Sequence, residues 1–190
     1  QTGKNGAVAL GGGARALGGS SMALGPGAFS DGNTSLAIGR QSSATGRFAQ
    51  AIGNVASATG KGSLAVGHSA KATKDRGIAI GASDVDDADA AAGQENVVYQ
   101  DNLQTLADGV DAIAVGATAR ALKDETIAVG TRAKATGLNG IAVGSDSHAD
   151  AQSVAVGNSA KAEKHGVGIG HDAVATGEQS VGIGRNAEAA

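Results

Sequence analysis

The chain has no cysteine and no tryptophan, a single proline, and only 2% aromatic residues. Without cysteine it can form neither disulfides nor thiolate metal sites. That suits a cytosolic protein, and equally a secreted one that crosses a narrow pore unfolded. With so few aromatics, 190 residues cannot build a compact core of the ordinary kind. No apolar run reaches the roughly 18 residues of a membrane-spanning helix. Gln1 starts in mid-pattern without a signal peptide, so the chain reads as a piece of something longer. A net charge of −3 gives no general attraction to nucleic acid.

What the chain has in quantity is glycine, 32 residues, within a composition that is 41% hydrophobic. The glycines follow no G-x-y period, which excludes collagen, and the apolar content argues against simple disorder. One phrase recurs twelve times: a bulky aliphatic, a small residue, a second bulky aliphatic, then glycine. The closing glycines are Gly11, Gly25, Gly39, Gly53, Gly67, Gly81, Gly116, Gly130, Gly144, Gly157, Gly170 and Gly184. The step between neighbours is constant to within one position, as from Gly11 to Gly25 or Gly144 to Gly157. The exception is the gap from Gly81 to Gly116, two and a half times as long.

Alternation within the phrase predicts a strand. Its two bulky positions, for example Leu64 and Val66 or Ile127 and Val129, share one face and are expected to form the core; Gln50 is the one polar exception. A second short strand follows each glycine, as in "SSA", "ASA" and "AKA". Its small outer residues are expected to oppose the bulky pair across a narrow interior. Glycines at the second corner (Gly18, Gly32, Gly46, Gly60, Gly137, Gly177) are expected to supply the dihedrals of a tight turn. Two strands and two turns in each period predict an all-β parallel solenoid, a β-roll. Coils at the strand spacing of about 4.8 Å would make a rod about 60 Å long.

Between the two bulky residues stand Ala9, Ala23, Ala37, Ala51, Ala65, Ala79, Ala114, Ala128, Ala142 and Ala155, with glycine in the last two copies. On this reading they point outward as a flat, uncharged stripe. Such a stripe should not be left in water, and close approach of identical stripes around a symmetry axis would cover it. An obligate oligomer is expected, with these alanines at its interface.

"SLAIG", "SLAVG", "SVAVG" and "SVGIG", each followed by an A-x-A stretch and often by Thr-Gly, resemble the head repeats of trimeric autotransporter adhesins, the YadA-like heads of Gram-negative bacteria. The resemblance covers residues 7–83 and 112–189. It implies a left-handed parallel β-roll assembled as a homotrimer. It also implies display on the bacterial cell surface, held to the outer membrane by a stalk and anchor outside this segment, with a role in virulence. The implied partner is a host extracellular matrix protein of the collagen, fibronectin or laminin class, or a host cell-surface molecule.

Residues 1–83 and 112–190 are thus expected to be roll and 84–111 an insertion. Within the insertion Gly93 resembles a decayed repeat. Leu103, Leu106 and Val110 are spaced for one short helical face, with Asp101 or Asn102 as cap and Gly109 as stop. Insertions in solenoids often carry partner sites; a tolerated loop packed on the neighbouring subunit is the other reading.

The middle residue of the second strand is Arg15, Lys71, Arg120, Lys134, His148 or Lys161 in six copies. In register these form a ladder on the outer face. Lysine there blocks sheet-to-sheet sticking; the same ladder, with Tyr99 of the insertion, could dock a polymeric ligand.

No enzyme, cofactor or metal site is expected. "GVGIGHDA" and "GVGIGRNA" satisfy a dinucleotide-type pattern only because the repeat does, and no helix follows. "ATGKGS" lacks the first glycine and the Ser/Thr of a P-loop. His68, His148, His165 and His171 read as surface residues, and Asp84, Asp86, Asp87 and Asp89 as an acidic turn without the spacing of a calcium loop. A left-handed β-helix acyltransferase would need hexapeptide repeats with about 18 residues per coil. An ice-binding or purely structural solenoid is the remaining alternative. Thr45, Thr59, Thr73, Thr136 and Thr176 recur in phase, but singly and with gaps.

Overall fold

The computed structural model describes residues 1–83 and 103–190. Each repeat is a three-residue strand and a two-residue strand joined by tight corners. β1 (Val8–Leu10) and β2 (Arg15–Ala16) make the first coil, β3 (Met22–Leu24) and β4 (Phe29–Ser30) the second, and the series ends at β23 (Val181–Ile183) and β24 (Glu188–Ala189). The longer strands stack in sequence order into one twelve-stranded parallel sheet, the shorter ones into another. Among the described residues there is no helix. The fold is the all-β parallel solenoid that the repeat period predicts.

Each coil lies in register on the next, so that Leu64, Ala65 and Val66 pair with Ile78, Ala79 and Ile80. Hydrogen bonds continue through the corners: Val55 N–H donates to the Arg40 carbonyl at 2.9 Å and Arg132 N–H to that of Ala117 at 2.8 Å. Val55 and Arg132 both sit at φ +58°. This left-handed conformation is costly for a side chain, above all a β-branched one, and the inter-coil bond helps to hold it.

The two sets of glycines are needed for different reasons. Gly67, closing an aliphatic phrase, has φ +122°, and a Cβ there would run into the Gly81 carbonyl oxygen. The second-corner glycines Gly18, Gly32, Gly46 and Gly60 do not have positive φ. They are required because the next coil's backbone lies where a Cβ would go. The dihedral reason expected for them gives way to one of close approach.

The facing of the strands is the reverse of the sequence expectation. Ala23, Ala37, Ala51, Ala65, Ala79, Ala114, Ala128, Ala142 and Ala155 have no exposed surface even in the single chain. Ala9, in the terminal coil, packs half-buried against Ala16, Ala23 and Ala28. These ten alanines point into their own coil, so they are not the outward stripe. A coil's interior is filled by four small residues, such as Ser63, Ala65, Ala70 and Ala72. Among the described residues the largest fully buried side chains are the threonines Thr105 and Thr126. Small residues on both strands let the two sheets close on each other, and no room remains for Leu or Ile between them. Buried serines serve the corners: Ser63 Oγ donates to the Gly60 carbonyl at 2.7 Å and Ser35 Oγ to that of Gly32 at 2.6 Å.

The interruption is shorter than expected. β12 (Leu106–Ala107) lies in the second sheet between β10 (Lys71–Ala72) and β14 (Arg120–Ala121), and Leu106 pairs with both Lys71 and Arg120. Leu103, Leu106 and Val110 therefore do not share a helix; β12 and the corner at Gly109 complete an ordinary coil. Helix spacing is mimicked there because the strand is only two residues long. Asp84, Asp86, Asp87, Asp89, Gly93, Tyr99, Asp101 and Asn102 lie outside the described residues.

Candidate interaction surfaces

The outer face of the three-residue sheet is an aliphatic surface, broken at Gln50. Along β5 (Leu36–Ile38), β9 (Leu64–Val66), β13 (Ile113–Val115) and β15 (Ile127–Val129) both bulky residues of each strand are half-buried. Their cover is the matching side chains one coil above and below. At the ends, where one neighbour is missing, exposure rises to 70% at Leu10 and 67% at Ile183. The stripe that needs a partner is made of these aliphatics.

The outer face of the two-residue sheet carries the ladder. In register order it reads Arg15, Phe29, Ser43, Ser57, Lys71, Leu106, Arg120, Lys134, His148, Lys161, Val174 and Glu188. The structure brings Arg120, Lys134, His148 and Lys161 onto four consecutive rungs. Lys71 stands two rungs from Arg120, beyond Leu106. Arg15 is separate and lies over the Phe29 ring, 5.3 Å from its centroid.

Crowding of like charge is visible at His148. Burial, and then the Lys134 and Lys161 ammonium groups, hold its pKa below the ordinary 6.5, against the opposing pull of Asp150 and Glu163. The ring Nε2 is 3.3 Å from Thr136 Oγ1. Lys161 Nζ pairs with Glu163 Oε1 at 2.7 Å, and this hydrogen bond holds the Glu163 carboxyl below its usual value. The carboxylates lie along the rim of the ladder, which softens the repulsion without interrupting the run.

The corners hold ladders of their own. Arg132 makes a two-pronged contact with Asp146 (2.6 and 2.8 Å), and Arg76 does the same with Asp111 (2.6 Å for both). All four side chains are well exposed. His68 Nδ1 lies 3.1 Å from Ser83 Oγ, His165 Nε2 lies 2.7 Å from Gln152 Oε1, and His171 pairs with Asp172. Among the described residues no three His, Asp or Glu side chains could hold a metal ion together. Thr59 Oγ1 donates to the Thr73 carbonyl and Thr73 Oγ1 to Asp108, so these hydroxyls serve the coil stack. The threonine row is interrupted at Asp108, Leu122, Asp150 and Glu163.

The family model described as the YadA head domain repeat (2 copies) matches residues 4–28, 30–56, 58–83, 107–133, 121–147, 135–152 and 164–187. Among solved structures, the chain is similar to the collagen-binding domain of the Yersinia adhesin YadA. Identity is 28% and the TM-score 0.52, covering 82% of this chain and 69% of that one. No curated protein matches the chain.

Proposed function

Because the chain belongs to the YadA head domain family, we propose that it is the head of a homotrimeric adhesin attaching a Gram-negative bacterium to host extracellular matrix. The family is an adhesin fold and not an enzyme family. The observation that carries the reading is the match of repeats along most of the chain, joined to the likeness to a collagen-binding domain. In this reading three left-handed rolls bury their aliphatic faces against one another. The two-residue sheets then face outward, and the ladder of Lys71, Arg120, Lys134, His148 and Lys161 meets the ligand three times around each head. A stalk and outer-membrane anchor beyond this segment would hold the head at the bacterial surface. Repetition over three faces and many fibres raises avidity without tight single contacts.

The test is a solid-phase binding panel of the purified chain against collagens, fibronectin, laminin and glycans. The expected result is saturable binding to a collagen, reduced when Arg120, Lys134 and Lys161 are all changed to Ala. No binding to any matrix protein would remove the adhesive reading. Undiminished binding by a correctly folded triple variant would move the ligand site off the ladder.

A further inference from the structure

Among the described residues Gln50 is the one polar residue in the aliphatic face. In β7 (Gln50–Ile52) it pairs in register with Leu36 on one side and Leu64 on the other. The same position in every other coil is Val, Leu, Ile or Met. Its side chain is exposed, and its carboxamide has no hydrogen-bond partner among the described residues. Nothing within the roll requires an amide there: leucine serves in the coils directly above and below.

An unbroken aliphatic face has a weakness as a contact between copies. Its rungs repeat about every 4.8 Å and are nearly identical. A sister chain displaced by one coil would lose contact only at the ends and keep it everywhere else. Apolar burial, which has no direction, would then allow several staggered assemblies of similar stability. A single amide removes that degeneracy. In register, every Gln50 arrives at the same height. A carboxamide both donates and accepts, so each can donate an N–H to the next copy and accept from the previous one, closing a ring. Displaced by one coil, each amide meets Leu36 or Leu64 of its neighbours and is buried without a partner, a costly state for a polar group. One buried asparagine sets alignment in a coiled coil by the same logic.

We infer that Gln50 sets the axial register in which copies of this chain meet across the aliphatic face. The inference rests on the oligomeric reading above. The extent of the face supports a sister chain as its occupant: it runs over all twelve strands of the sheet, and a contiguous apolar face with a polar sheet behind it marks a contact site.

The absence of native cysteine makes the test direct. A spin label on Thr131→Cys, an exposed corner position, reports distances between copies. The parent chain is expected to give one inter-label distance. Gln50→Leu is expected to keep the oligomer mass and strand content but to show added distances from copies offset by one or more coils. Moving the amide by one rung, in Gln50→Leu/Leu64→Gln, should restore a single distance. One unchanged distance in Gln50→Leu, or failure of the relocated amide to restore it, would overturn the role of Gln50. Absence of any inter-label distance in the parent chain would instead overturn the oligomer itself.

Discussion

Leu106 pairs with Lys71 in parallel register across a gap in sequence two and a half times as long as that between other neighbouring coils, such as Lys71 and Ser57. The excess is the segment 84–104, which enters between Ser83 and Thr105. Both sides of the junction are tied into the coil stack. Ser83 N–H donates to the His68 carbonyl at 3.1 Å, and Lys71 N–H to that of Thr105 at 2.9 Å. Thr105 stands where Ala70 stands one coil earlier. Removing residues 84–104 should therefore leave a coil of ordinary length and an intact roll. Circular dichroism and calorimetry are expected to show one cooperative transition with a midpoint close to the parent. Removing 84–111 would take β12 with it and should destabilise the chain severely.

Interior and exterior of one strand should respond oppositely to size. Ala128 is fully buried between the two sheets, whereas Ile127 and Val129 face outward. Ala128→Leu should cost roughly 3 kcal/mol or more, at the upper end of overpacking penalties, and destabilise the chain at any concentration. Ile127→Ala should leave the coil intact and weaken association, so its unfolding midpoint becomes more sensitive to protein concentration. Denaturant titrations at two concentrations separate these outcomes.

Glycine substitutions should divide in the same local way. Gly67→Ala meets both a φ of +122° and the Gly81 backbone, and a loss of about 2 kcal/mol or more is expected. Gly12 has open space around it and no positive φ. Gly12→Ala should be neutral or stabilising by about 0.5 kcal/mol, through the unfolded state.

Acidification should act in two stages. The folded pKa of His148 lies below 6.5 because burial, Lys134 and Lys161 disfavour the charged ring, and His68 is lowered by burial and Arg40. The unfolded chain therefore takes up these protons first. Their contribution is complete above pH 6.5 and is lost as the pH falls from there through the folded values. Asp111, Asp146 and Glu163 are lowered from 3.8, 3.8 and 4.5 by hydrogen bonds from Arg76, Arg132 and Lys161 respectively. Their contribution is lost only below that range. The thermal midpoint should thus fall as the pH drops below about 6.5, and again in stronger acid. His148→Gln should reduce the first fall and leave the second; an unchanged first fall would contradict this.

The period and the strand pair were legible in the sequence, because Leu64–Ala65–Val66–Gly67 repeats as Ile78–Ala79–Ile80–Gly81 and alternation of two means a strand. Which face turns inward was not legible. Alternation separates Ala65 from Leu64 and Val66 but is silent on sides, and an aliphatic exterior looks wrong until further copies are considered. The serines held a usable signal. In "SLAVG" Ser63 lies on the same side as Ala65, and a face of Ser and Ala suits a narrow interior better than a solvent-exposed exterior. The ladder of Arg120, Lys134, His148 and Lys161 was readable from spacing alone. The place of Leu106 beside Lys71 was not, since a two-residue strand carries too little pattern to be found outside its period.

Sedimentation equilibrium of the purified chain at neutral pH bears most directly on the aliphatic face as a contact between copies. The expected result is a single species of three chain masses that does not dissociate without unfolding. A well-folded species of one chain mass, with Ile127, Val129 and their counterparts open to water, would contradict it.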